Sequence, residues 1–113
     1  RAAYIAEEGI EATRILRDTS YSANIAPLVV GTEYSLEFSG STWKSTTTPV
    51  LLDGIFDRRI ILTPVYRNAS DDIAPTGALD PDTKEVTVDV RWTNRGRAAS
   101  STIKTYLTNL FNN

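Results

Sequence analysis

The carboxylates are the only side chains in this sequence spaced closely enough to share a reaction or a cation. Asp53 and Asp57 bracket Gly54 in a turn, Asp71 and Asp72 are adjacent, and Asp80 and Asp82 flank Pro81 in a polar loop. Paired carboxylates can work as acid and base, or hold Ca²⁺ when about six or more oxygens converge on it. The spacing here matches no EF-hand loop, and neither a glycine-rich phosphate loop nor a Gly-x-Ser-x-Gly elbow occurs. The chain has no His and no Cys, so the usual general base, the thiol nucleophile and the imidazole ligand are missing. These acids therefore read as turn formers and solvated loop charges. No catalytic residue, metal ligand or cofactor site is expected, and the chain is not expected to be an enzyme.

Bulk properties narrow the classes further. With 113 residues, 41% of them hydrophobic, the chain suits one domain over 1–113 with a core of its own. A formal charge of -2 and a pI near 5.0 supply no broad basic field, so no nucleic-acid partner is expected. Without Cys there is no disulfide framework and no reading of redox compartment. No apolar run is long enough to span a bilayer, and no signal peptide is present.

Two periodicities organise the chain. Residues 1–17 follow the 3.6-residue period, with Ala2, Ile5, Gly9, Ala12 and Leu16 on one narrow stripe of mostly small residues and Glu7, Glu8, Glu11, Arg14 and Asp18 on the other side. The helix begins without Ser, Thr, Asp or Asn in a capping position and reads as the second half of a longer one. From residue 31 to 110 the period is two. Tyr34, Leu36 and Phe38 alternate with Glu33, Ser35 and Glu37, and a neighbouring strand through Thr42, Trp43 and Lys44 follows the Ser39-Gly40 turn. Phe56 to Tyr66 contains Ile60, Ile61 and Leu62 in succession, which predicts a central strand covered on both faces near its middle, with Pro64 marking a bulge or edge at its far end. A loop is predicted over 68–82. Val86, Val88, Val90 and Trp92 then alternate with polar residues, and the turn at 93–97 leads into a final hairpin strand. The fold class is α+β, an N-terminal α-helix on an antiparallel sheet of four to five strands.

These segments, in this order, resemble type IV pilin-like proteins. The resemblance rests on Ala6-Glu7-Glu8-Gly9-Ile10-Glu11-Ala12, the arginines of the helix end, Gly31-Thr32-Glu33-Tyr34, Asp53-Gly54-Ile55-Phe56-Asp57-Arg58-Arg59-Ile60, and Asp80-Pro81-Asp82-Thr83-Lys84-Glu85-Val86-Thr87-Val88 ahead of Trp92. It covers nearly the whole chain and is nearest to minor pilin-like sequences of bacteria whose pilins lack cysteine. The family's prepilin peptidase site and long apolar helix half are not in this sequence.

The resemblance implies a precursor held in the inner membrane only through an absent N-terminal segment, then processed and polymerised by pilus assembly machinery into an extracellular filament on the cell surface. Its partners would be other pilin subunits. The stripe Ala2, Ile5, Gly9, Ala12 and Leu16 would lie on the subunit's own sheet. Tyr4, Ile10 and Ile15, together with Glu7 and Glu8, would face neighbouring subunits. Ordinary close packing explains the small stripe equally well, with Tyr4, Ile10 and Ile15 widening the buried face.

Two surface features remain. Ser41, Thr42, Ser45, Thr46, Thr47 and Thr48 form a hydroxyl-rich run compatible with O-glycosylation or with a plain polar hairpin. Asn68-Ala69-Ser70 matches the N-glycosylation triplet. The function class set against a filament subunit is a small exported or membrane-tethered binding module, with Trp43, Tyr66 and the carboxylate loops forming a ligand or carbohydrate surface.

Overall fold

A computed structural model describes residues 1–109. Helix α1 spans Ala2–Thr19, with Arg1 at its N-cap making no side-chain cap bond, and a single further turn, α2, spans Tyr21–Asn24. Ser20 separates them in an extended conformation and caps α2 by accepting from the Ala23 N–H at 3.2 Å. The residues just after α1 thus form a second turn, which buries Tyr21. Seven strands follow: β1 Ser35–Ser39, β2 Thr42–Thr46, β3 Leu51–Leu52, β4 Phe56–Arg67, β5 Ile73–Ala74, β6 Ala78–Asn94 and β7 Arg97–Thr108.

The helix lies on an antiparallel sheet, as the change of period predicts. The order is β3-β4-β6-β7, with β5 beside the far end of β4. Strands β1 and β2 form a separate hairpin, joined to the sheet through the bridge between Tyr34 and Ile60. Two-residue turns close β1–β2 and β6–β7, and in both cases the two central residues have positive φ: 59° at Gly40 and 69° at Ser41, 52° at Arg95 and 78° at Gly96. That is the type I′ geometry whose twist matches the flanking strands.

The cross-strand register explains the core. Arg58 sits opposite Val90, Ile60 opposite Val88 and Leu62 opposite Val86, so these six share one face, and all are buried. Against them α1 turns Ile5, Ala6, Gly9, Ile10, Ala12, Thr13 and Leu16. The opposite face of the sheet is charged: Asp57 lies opposite Arg91, and Arg59 opposite Asp89. Ile61 belongs to this face and is only half-buried, which corrects the expectation of a strand covered on both faces. The helix covers one face alone, and the run Ile60-Ile61-Leu62 hid the alternation.

The predicted loop over 68–82 is also corrected. β5 and the start of β6 occupy part of it, and Pro81 lies inside β6. Register shifts between Pro64 and Val65, so Lys84 faces Pro64 while Asp80 faces Val65. The residues between are extra on their strand, and a proline there forfeits no ladder bond.

Gly9 sets how closely α1 approaches the sheet. A Cβ there would stand 3.0 Å from Arg58 Cδ and 3.0 Å from Val88 Cγ1. Gly9→Leu is therefore expected to destabilise the domain by overpacking, by about 1–3 kcal/mol, read as a lower urea midpoint. A variant as stable as the parent would mean that the helix has room to lift.

Candidate functional site

Arg58 is the most constrained charged residue in the molecule. It occupies an inward-facing position of β4, beneath the N-terminal half of α1, and is 2% exposed. Its Nη1 donates to the Ile5 carbonyl at 3.0 Å and to Glu8 Oε1 at 2.7 Å. The guanidinium lies 5.5 Å from the Trp43 ring centroid, a cation–π distance. Nε and Nη2 are buried without a hydrogen-bond partner. The residue thus ties together α1, β4 and the β1–β2 hairpin. Beside it opens a cleft of about 620 Å³, lined by Leu36, Phe38, Trp43, Val50, Leu52 and the Arg58–Glu8 pair among others. Phe38 and Trp43 meet edge-on at 5.3 Å, and Phe38 remains 61% exposed, although its alternation with Leu36 predicts the covered face of the strand.

The helix stripe Ile5, Gly9, Ala12 and Leu16 is buried against the sheet, with Ala2 partly buried at its end. On the opposite side Tyr4 is 64% and Ile15 49% exposed, with Glu7 and Glu11 exposed between them. Ile10 does not belong with these. It is 7% exposed and part of the core, which corrects its assignment to a subunit interface: it lies one residue from Gly9, where the close approach of the sheet widens the buried face. Glu8 is turned into its own subunit, toward Arg58.

Of the remaining candidates, the structure gathers Asp71, Asp80 and Asp82 in one groove around Arg67. Asp53 pairs with Arg1 and Asp57 with Arg59, while Asp80 receives Arg67 Nε at 2.8 Å. No group of three or more His, Cys, Asp or Glu is placed to hold a metal among the described residues. Trp43 stacks over Arg58, whereas Tyr66 stands eight residues further along β4, about 26 Å away at strand rise, so the two aromatics do not share a ligand surface. In the hydroxyl run Ser41, Thr42, Thr47 and Thr48 are exposed, and Ser45 and Thr46 are half-buried. Thr42 Oγ1 donates to the Ser39 carbonyl and Thr46 Oγ1 accepts from the Thr48 N–H, as in an ordinary polar hairpin. Asn68 Oδ1 accepts from the N–H groups of Ser70 and Asp72, so its side chain closes a local turn.

The outer face of the sheet holds an ion-pair network that individual sequence positions do not announce. Arg91 bonds Glu33 and, through Nε at 2.6 Å, Asp89. Arg59 bonds Asp57 at 2.6 Å and approaches Glu33 at 4.0 Å. Arg91 donation holds the Glu33 carboxyl below the usual carboxylate range, and Arg67 donation does the same for Asp80. Both groups are more acidic folded than unfolded. The stability they supply is complete above the ordinary range near about pH 4 and is lost as pH falls through their lower folded values. The urea midpoint is expected to stay level from about pH 7 to 5 and to drop below about pH 4. Arg91→Gln should lessen that drop, and an unchanged acid limb would remove Glu33 from the account.

The fold and site define an α+β domain with a helix laid over an antiparallel sheet and a buried arginine clamp. No protein-family model, no curated protein and no solved structure matches the chain.

Proposed function

We propose that the chain is a structural subunit of a type IV pilus-like filament, assembling through its N-terminal helix and displaying the sheet domain on the filament surface. The observation that carries this reading is the division of α1 into two faces. One is sealed on the sheet through Gly9, Ala12 and Leu16, while the other presents Tyr4, Glu7, Glu11 and Ile15 to the outside. Tyr4 and Ile15 give that outer face apolar surface of the kind a subunit contact covers. No helix among the described residues is long and apolar enough to cross a membrane, so the anchoring part of the reading rests on the resemblance alone.

Deletion of the coding sequence in the producing cell, followed by electron microscopy, tests the proposal. Surface filaments should be lost or shortened and should return with the intact gene. Unchanged filament number and length would count against it. In that case the cleft flanked by Phe38, Trp43 and the Arg58–Glu8 pair favours a small binding module, because it combines exposed aromatic surface with polar groups.

A further inference from the structure

The chain has nine arginines, at positions 1, 14, 17, 58, 59, 67, 91, 95 and 97. The first seven each form an ion pair with a carboxylate of the same subunit. Arg95 and Arg97 are left without one among the described residues, and both sit at the exposed tip of the β6–β7 hairpin. The type I′ turn that places them there holds Arg95 at a φ of 52°, a conformation that a residue other than Gly, Asn or Asp adopts uncommonly. Two positive charges thus stand together at the hairpin tip with no ion pair of the subunit's own among the described residues.

The complementary surface is the outer stripe of α1. Glu7 is exposed and unpaired among the described residues, while Glu11 has only the solvent-screened contact with Arg14. With Arg14 included, and with Lys104 at the edge of the same groove paired to Glu85 at 3.9 Å, the stripe carries a net charge of -1 against +2 on the tip. The other acids without an ion pair among the described residues are less suitable: Glu37 has Lys44 directly across its hairpin, while Asp72 and Asp82 lie beside Arg67. Geometry agrees as well. Glu7 and Glu11 are one helical turn apart, about 6 Å, and Arg95 and Arg97 are two residues apart, within about 7 Å. Tyr4 and Ile15 frame the two acids with exposed apolar surface, and a guanidinium stacks well on a tyrosine face.

Building on the filament reading, we infer that the Arg95-Gly96-Arg97 tip of one copy docks on the Tyr4, Glu7, Glu11 and Ile15 stripe of another. Each subunit carries both halves of the contact at different places on its surface, so the contact joins unlike patches and can propagate.

Charge exchange in assembled filaments of the full chain tests this. Arg95→Glu with Arg97→Glu, and separately Glu7→Arg with Glu11→Arg, should each lower filament yield at least about tenfold, since opposed like charges at an interface suppress pairing. Combining all four changes should restore yield to within about threefold of the parent. The chain lacks cysteine, which permits a second test. Subunits carrying Glu7→Cys, co-expressed with subunits carrying Arg97→Cys, should form a disulfide between copies that neither variant forms alone. Unaffected yield after both reversals overturns the docking and leaves the filament reading standing. Loss without rescue and without the mixed disulfide, in variants whose unfolding curves match the parent, shows that the two patches do not face each other and also overturns it. If deletion leaves the filaments unchanged, the filament reading itself fails, and the docking fails with it.

Discussion

Arg58→Ala is expected to destabilise the domain by about 2–5 kcal/mol, whereas Arg58→Met is expected to cost under about 1.5 kcal/mol. The reasoning separates volume from charge. Alanine removes the aliphatic stem that lies beneath α1 against Gly9, and Val88 on β6, which a Cβ on Gly9 would meet at 3.0 Å, keeps the helix from settling into the vacated space. Methionine keeps most of that volume and removes a charge whose Nε and Nη2 are buried without partners. Replacing a buried ion pair by well-packed apolar groups is often neutral or better. Glu8 loses its partner in either variant, but its side chain is 37% exposed and water can take over. Urea unfolding of the two variants decides the matter. A methionine variant as unstable as the alanine variant would show that the guanidinium's bonds to Ile5 and Glu8, and not its bulk, hold the helix down.

Ile10→Asp is expected to abolish cooperative unfolding or to cost about 4 kcal/mol or more. Ile10 is 7% exposed in the hydrophobic core beside the inward face of the sheet, so a carboxylate there gives up most of its hydration, although Arg14 and Lys104 line the groove at its edge. A loss of that size is a large share of the 5–15 kcal/mol typical of a whole domain. Ile15→Asp, on the exposed side of the same helix, is expected to change stability by no more than about 0.5 kcal/mol. Read as an interface residue, Ile10 would tolerate the change in the isolated domain. A folded Ile10→Asp domain with a near-parental midpoint would therefore return the residue to the surface and displace α1 from its place on the sheet.

Much of this fold is legible in local pattern. The alternation at Val86, Val88 and Val90 marks a strand because one wet face and one dry face impose a period of two, and these three valines are fully buried. The helix stripe is visible for the corresponding reason at 3.6 residues. Pro64 signals the irregularity that appears as a register shift. The pattern misleads where it lacks contrast. Ile60-Ile61-Leu62 shows no polar residue to mark the outer face, and Ile10 lies close enough to the edge of the stripe for either face to claim it.

The candidate site is less legible. Arg58 shares the parity of Ile60 and Leu62, so an arginine on the buried face of β4 could be suspected from spacing alone. Its partners could not, because Ile5 and Glu8 come from α1 and Trp43 from β2, two segments that meet β4 only after the hairpin folds back and the helix docks. The same holds for the joining of Arg91 to Glu33 across 58 residues.

By itself the sequence determined the α+β class, the order of helix and strands, the hairpin turns and the lack of imidazole and thiol chemistry, because these depend on residue type and on neighbours a few positions away. The tertiary structure alone decided what the helix positions beside the stripe face: Ile10 inward with the core and Glu8 turned to Arg58. That choice depends on the distance between helix and sheet, set by a side chain missing at Gly9 and a long one present at Arg58. Residues 49 positions apart in the chain set it together, which no local period can encode.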